Sequence, residues 1–400
     1  MISRSTTRLR KLFQPTAVMV SGNHVRLLQS GADFFPALIA AIDAAQSEVR
    51  LETYIFNLDA SGSRVSDALV RAAHRGVRVA LLLDGVGSRT LPPSWLNTIR
   101  QAGVRVLIYR PPHSGWLANP LNLRRLHRKL AVIDARLAFI GGMNIIDDFV
   151  PVASASPRLD YSVEISGPLL IDIHRSAKQL WRLVARSQLQ TALDDFAALE
   201  PNWPTDGHAR AAYIVRDNFR HRRNIERAYL TAIDAAQRDI IIASAYFLPG
   251  RRFRIALKDA AERGVHVCLL VQGFTDHPFF HAASRALYGD LLGAGVQIIE
   301  YHASELHAKV AVVDSHWVTV GSSNIDPFSL LLAREANIVS EDRELAQQLQ
   351  AKLQHAIENG AVELLPADWQ RRAWPRRLLS WMAYGSVRWM VGLAGFGRWV

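Results

Sequence analysis

A single cysteine, Cys268, stands among 400 residues, which excludes a disulfide framework and any metal site built on thiolates. Its setting, VHVCLLV, reads as a small hydrophobe buried in a strand. Lysine is scarce as well, six residues against 41 arginines, so the net charge of +11 rests on guanidinium groups. Such a surplus implies a phosphate-rich partner, and charge alone leaves open nucleic acid or an anionic lipid surface. The basic opening MISRSTTRLRKLFQ lacks an apolar core with a small-residue cleavage site, so no secretory signal is read there and a reducing compartment is expected. The one stretch long enough to span a bilayer would hold Arg388 near its middle, which argues against spanning. At 49% hydrophobic and 21% charged the chain is globular, and its length implies two domains or three.

What is present is a pattern used twice. LHRKLAVIDARLAFIGGMN, from Leu126 to Asn144, shares its polar skeleton with the stretch from Leu306 to Asn324. His127, Lys129, Asp134, Gly141 and Asn144 stand opposite His307, Lys309, Asp314, Gly321 and Asn324. From composition, one such His-Lys-Asp triplet arises by chance about once in a hundred chains, and two with matching Gly and Asn far less often. Side chains at i and i+2 of a strand share a face, so each His projects with its Lys while the apolar runs Leu130–Ile133 and Val310–Val313 anchor the strands.

The flanking sequence repeats too. AIDAAQSEVRLETYIF at Ala41 aligns with AIDAAQRDIIIASAYF at Ala232, and AAHRGVRVALLLDG at Ala72 with AAERGVHVCLLVQG at Ala260. AGVRVLIY at Ala102 resembles AGVQIIEY at Ala294. Phe35, Leu38, Ile39 and Ile42 keep helical spacing ahead of the alternating strand EVRLETYIF, and two further helix-strand units follow. The expected fold class is α/β: two similar α/β sandwich domains, each a mixed sheet flanked by helices, related by a pseudo-twofold. The expected organisation is a basic arm over 1–22, domains over 23–200 and 208–365 divided by PNWPTDG at 201–207, and a tail over 366–400.

Two segments break the repeat. The first half carries 12 extra residues within RPPHSGWLANPLNLRR, where Trp116, Leu117, Leu121 and Leu123 lie beside Arg124 and Arg125. They read equally well as a lid over a lipid phosphate or a surface loop with apolar anchors. The tail holds five of the ten tryptophans (Trp369, Trp374, Trp381, Trp389, Trp399) among arginines, a composition suited to a bilayer headgroup region or to a segment folded over the second domain.

Paired imidazoles suit a phosphodiester. A neutral one can attack phosphorus and form a phospho-histidine, and a protonated one can donate to the departing alkoxide and then deprotonate the incoming alcohol. Lys129, Lys309, Asn144 and Asn324 are placed to hold the non-bridging oxygens. Each imidazole needs an acceptor on its other nitrogen; Glu335, in REANIV, is the candidate in the second half, and Asp160, in LDYSVE, in the first. Asp134 and Asp314 precede a turn and read as loop-fixing or cation-pairing residues. No metal or other cofactor is implied, because the histidines lack zinc spacing and a carboxylate cluster. His74, His113 and His266 have no partner in the other half and take ordinary roles.

On these motifs, with DNFRHRRNIERAYL and AYFLPGRRFRIALKDAAERGV, the chain resembles the phospholipase D superfamily from about Asn23 to Leu365 and, within it, the bacterial cardiolipin synthases. The resemblance implies a catalytic set of His127, Lys129, Asp134, His307, Lys309 and Asp314, with His127 as nucleophile and His307 as acid then base. Asn144, Asn324, Asp160 and Glu335 are implied on the substrate side. It implies phosphatidylglycerol at an anionic membrane surface as partner, with neither nucleic acid nor an obligate protein partner. The opening transmembrane helices of some relatives are missing, so peripheral attachment to the cytoplasmic face of the inner membrane is expected. Hydrolysis by water and a nuclease activity share the motifs; the Trp-Arg tail and apolar insertion favour lipid over nucleic acid.

Overall fold

The computed structural model of the protein describes residues 18–112, 124–149, 156–190, 203, 206–217, 221–273, 278–327, 329, 332–371 and 374–391. Most of the basic arm, the apolar residues of the insertion, His113, Trp399 and most of the 201–207 boundary lie outside the described residues.

The first half runs β1 (Val20–Gln29), α1 (Ser30–Ala44), β2 (Glu48–Thr53), α2 (Ala60–His74), β3 (Arg78–Asp84), α3 (Pro93–Gln101), β4 (Arg105–Tyr109), β5 (Lys129–Ile133), β6 (Leu137–Gly141), β7 (Tyr161–Ser166) and α4 (Leu170–Ser187). The second repeats this as β8 (Ala209–Arg216), α5 (Asn224–Ala235), β9 (Asp239–Ser244), α6 (Arg251–Glu262), β10 (His266–Gln272), α7 (Pro278–Gly293), β11 (Gln297–Tyr301), β12 (Lys309–Val313), β13 (Trp317–Gly321), β14 (Glu335–Ser340) and α8 (Arg343–Gly360). β15 (Ala361–Glu363), α9 (Pro366–Gln370) and α10 (Trp374–Val391) follow.

Helical spacing makes α1 bury Phe34, Phe35, Leu38 and Ile42. α2 starts where the Asp59 carboxylate accepts the Gly62 N–H, and the chain leaves it through Gly76 at φ +86°, a conformation that costs glycine little. In each half the strand that follows these helices joins a parallel trio, β2–β3–β4 or β9–β10–β11, and the remaining pairings are antiparallel. The strand order is β15-β11-β10-β9-β12-β13-β14-β8-β1-β7-β6-β5-β2-β3-β4, which, β15 aside, runs through equivalent strands from either end and expresses the pseudo-twofold. The two halves join into this one sheet where β1 pairs with β8 at Val20–Ala211 and Asn23–Ala209. Outer cores centre on Leu38, Leu69 and Val79 in one half and Tyr229, Phe253 and Leu269 in the other. On the opposite face one core crosses between halves, bringing Leu130, Tyr161 and Val163 together with Cys268, Val310, Ile338 and Leu349. Burial pushes the Cys268 thiol up to about 12, so it packs as an inert apolar group.

The period of β2 misleads. All of Glu48–Thr53 is buried, polar residues included. Arg50 donates to both oxygens of Glu48 at 2.7 and 2.9 Å, and His174 of α4 lies 2.8 Å from the same carboxylate. Next to them Arg128 donates to Glu52 at 2.5 and 2.6 Å and to Ser176 at 2.8 Å. α4 therefore covers the apparent solvent face of β2 with ion pairs, where the second half has Ile241 and Ala243 opposite Arg50 and Glu52. Removing one member of such a buried pair costs about 3–5 kcal/mol.

α10 is two-faced. Ala383, Tyr384 and Val387 join the core of the second half against α7. Trp374, Leu378, Trp381, Met382 and Trp389 form an exposed stripe on another side. No helix among the described residues is long and apolar enough to cross a membrane.

Candidate active site

His127 and His307 stand at the C-terminal ends of the two parallel trios, where β5 and β12 begin. The main-chain N–H of His127 donates to the carbonyl of Arg334 at 3.0 Å, and that of His307 to the carbonyl of Leu159 at 2.9 Å. Leu126 bridges to Arg334 and Leu159 to Leu306 as isolated parallel pairs. Each histidine is thus anchored on the residue preceding the other half's carboxylate.

This geometry corrects the expected pairing within each half. Nδ1 of His127 lies 3.1 Å from Glu335 Oε2, and Nδ1 of His307 lies 2.6 Å from Asp160 Oδ2. The carboxylates cross because β7 and β14 deliver them at the junction, facing the opposite motif. Their contacts are with the imidazoles, so Asp160 and Glu335 sit behind the histidines instead of on the substrate side. Nδ1 of His127 also faces the Ser322 carbonyl at 3.2 Å. Surrounded by acceptors, that nitrogen carries the proton, leaving Nε2 with its lone pair.

Lys129 and Lys309 are almost wholly buried, and each donates to the carbonyl of its own histidine, Lys129 at 2.7 Å. An ammonium has three donors, so each keeps capacity for an anion. Burial pushes Lys129 down to about 7 and lowers Lys309, as expected for cations held out of water before a phosphate arrives. Burial also lowers both histidines, His307 well below its ordinary value, with Lys309, Arg158, Lys129 and His127 adding to the shift on His307. His127 meets Ser322 and Glu335 of the second half and His307 meets Asp160 of the first, so the two motifs share one junction. Asp160 is lifted to about 6 by burial, against the pull of Lys309.

Asn144 and Asn324 are buried nearby; Asn144 Oδ1 accepts the Ile55 N–H at 3.1 Å. Asp134 and Asp314 are not brought to this centre. They occupy the far ends of β5 and β12, roughly 16 Å along a five-residue strand. Asp134 accepts from the N–H groups of Gln46, Ser47 and Glu48 at 2.7–2.8 Å, and Asp314 from Gln237, Arg238 and Asp239 at 2.8–3.0 Å. Both adopt φ +51°, the first position of a turn closed by Ile133–Arg136 or Val313–His316. Each therefore ties the hairpin to the start of the adjacent parallel strand.

Further residues support the site. Tyr54 sets its ring 5.0 Å from that of His127 and 5.5 Å from Lys129 Nζ. Ser322 Oγ donates to Glu335 at 2.5 Å; its counterpart is Gly142, where a Cβ would come within 2.1 Å of Asp160 Oδ1. Asp84 and Gln272 accept the main-chain N–H of Leu126 and Leu306 at 2.8 and 2.9 Å. The repeat alignment sets Asp84 opposite Gln272 at matched strand ends, a signal that could have found them. Tyr54 stands opposite Ala245, so symmetry alone hides it. Among the described residues no three His, Cys, Asp or Glu side chains are grouped to hold a metal ion.

Among known proteins, the family described as "Cardiolipin synthase, PLD-like domain" matches residues 38–153 and again 229–357. A protein named cardiolipin synthase B from Shigella flexneri is 38% identical over 387 residues, covering 94% of this chain and 90% of its own. One named cardiolipin synthase A from Pseudomonas putida is 33% identical over 353 residues, covering 88% of this chain and 71% of its own. The crystal structure of phosphatidylserine synthase from Haemophilus influenzae Rd KW20 shares the fold, with a TM-score of 0.71 over 98% of this chain and 100% of that one at 14% identity.

Proposed function

The chain belongs to the cardiolipin synthase family, whose phospholipase D-like domain it carries twice, and on that premise we propose that it is a phosphatidyltransferase joining two phosphatidylglycerols into cardiolipin and glycerol. The observation that carries this reading is the crossed pair of imidazoles, each with Nδ1 held by a carboxylate from the other half. Nε2 of His127 attacks phosphorus, the bond to the headgroup oxygen breaks, and His307 gives that oxygen a proton. The hydroxyl of a second phosphatidylglycerol then returns a proton to His307 while its oxygen displaces His127. Asp160, ionised above its raised value of about 6 and held against Nδ1 of His307, orients that imidazole as it gives and recovers the proton. Lys129, Lys309 and the amides of Asn144 and Asn324 hold the non-bridging oxygens, a role in which one donor is worth about 10²–10³ in kcat.

The lipid is reached from the membrane surface. The exposed stripe of α10 supports peripheral attachment, its indole and aliphatic groups entering the headgroup layer beside Arg388, at the cytoplasmic face of the inner membrane. Purified protein is incubated with phosphatidylglycerol vesicles and a chelator. Cardiolipin with equimolar glycerol is the expected outcome; phosphatidate as the sole product would replace transfer by hydrolysis, and silence in chelator would overturn the cofactor-free mechanism.

A further inference from the structure

The residues that handle phosphorus are duplicated, because one phosphoryl group is held from both sides. What is not duplicated must serve something the two sides do not share. One such difference is charge beside His127. Arg334 receives the His127 N–H on its carbonyl and donates its own N–H to the Arg125 carbonyl at 2.8 Å. Its side-chain Nε donates to the Tyr109 hydroxyl at 3.3 Å, and the Arg110 guanidinium lies 5.7 Å from the centroid of the same ring. Arg125 Nη2 donates to the Arg110 carbonyl at 3.3 Å, which brings Arg124 to the same edge. Arg222, in the loop ahead of α5, lies near enough for its charge to act on Arg124. Burial lowers the Arg124 guanidinium below its ordinary value, and Arg110, Arg222 and Arg334 lower it further, so four cations are crowded closely enough to oppose one another's charge.

Among the described residues the His307 edge has no matching group of arginines. Leu159 takes the place of Arg334 in the equivalent bridge, and His302, Ser304 and Glu305 stand where Arg110, Arg124 and Arg125 stand in the first half. Glu305 is paired with Arg158 at 3.0 Å.

Guanidinium groups gathered against mutual repulsion suit a multiply accepting anion. In phosphatidyl transfer one phosphate occupies the histidines, and a second arrives only with the lipid acceptor, whose attacking hydroxyl is one glycerol unit away from its own phosphodiester. Water and simple alcohols bring no such group. Resting on the transfer reading, we infer that Arg110, Arg124, Arg222 and Arg334 form a subsite for the phosphodiester of the acceptor lipid, and that this subsite selects phosphatidylglycerol over water as acceptor.

Arg222 is exposed and Arg124 half-buried, so Arg222→Gln and Arg124→Gln are suitable variants with folding checked by circular dichroism. Each is given phosphatidylglycerol vesicles with ethanol, and cardiolipin and phosphatidylethanol are measured in one reaction. The ratio of cardiolipin to phosphatidylethanol is expected to fall about tenfold or more in each single variant and further in the double variant, with the KM for acceptor phosphatidylglycerol raised. Inorganic phosphate, added as a free-anion probe, is expected to lower the same ratio in the wild type and to lose that effect in the double variant. An unchanged ratio, whether both rates persist or both fall together, would overturn the subsite while leaving transfer intact. A wild type that makes phosphatidylethanol and never cardiolipin would sink the transfer reading and the subsite with it.

Discussion

Nδ1 of His127 lies within 2.9–3.1 Å of both carboxylate oxygens of Glu335, a residue 208 positions further along the chain. The imidazole of the first motif is therefore oriented by the second repeat, and the reverse holds for His307 and Asp160. Glu335→Gln and Asp160→Asn are each expected to lower kcat by about 10²–10⁴, the effect of losing the carboxylate behind a catalytic imidazole. Thermal melts report whether the fold survives. A folded Glu335→Gln enzyme within tenfold of wild type would remove the carboxylate from the mechanism.

The two histidines are expected to fail differently. With phosphorus-labelled phosphatidylglycerol, His307→Ala should form an acid-labile phospho-enzyme slowly and then retain it, because attack by His127 remains while the base that deprotonates the acceptor hydroxyl is lost. His127→Ala should show neither label nor turnover. Label retained in His127→Ala and lost in His307→Ala would reverse their roles.

Asp134→Ala and Asp314→Ala should chiefly affect stability. Each loses three hydrogen bonds to main-chain N–H groups, about 1 kcal/mol apiece, so about 2–3 kcal/mol in denaturant titrations, with kcat retained in the folded fraction. Burial raises the Asp314 carboxyl, but the donors of Asp239, Gln237 and Arg238 outweigh it and hold the group below its ordinary value. The contribution of Asp314 is accordingly present at neutral pH and lost as the pH falls through that depressed pKa. Wild-type stability with abolished turnover would assign these aspartates to the chemistry.

The pH dependence of kcat/KM reports the free enzyme. Asp160, raised to about 6, loses the charge that orients His307 below that value, and Lys129, lowered to about 7, loses its proton above it. The profile should rise through about pH 6 and fall above about 7, whereas kcat, measured with phosphate bound beside Lys129, should hold to higher pH. An alkaline limb at the same position in both parameters would contradict a lysine charged by its substrate.

Trp374→Glu and Trp389→Glu should weaken co-sedimentation with anionic vesicles and leave the melting temperature within a few degrees, since both side chains lie outside the α7–α10 contact. Removing α10 entirely is a poorer test, because Ala383, Tyr384 and Val387 are part of the core. Unchanged sedimentation of both variants would reduce the stripe to surface.

The repeat made the architecture legible: matched helix-strand units gave two equivalent α/β halves, and the spaced His and Lys lie where β5 and β12 enter the site. Two things were not legible. Alternation in β2 implied a solvent face, yet Arg50 and Glu52 are buried beneath α4, because paired charges imitate an exposed period. Assigning each carboxylate to its own half followed sequence proximity, while the chain brings Leu126 against Arg334 and Leu159 against Leu306, so proximity in space runs between repeats. Tyr54 and Ser322 were hidden for a related reason: a repeat reveals what the halves share, and these residues are where they differ.

The crossing also sets when the enzyme comes into being. A nascent chain whose first repeat has emerged from the ribosome already owns His127 and Lys129, yet it lacks the acid that aligns them until β14, beginning at Glu335, has been synthesised and laid beside β8. Reactivity toward lipid is thereby deferred until the second repeat has been made and folded against the first, and a chain truncated before that strand would be inert.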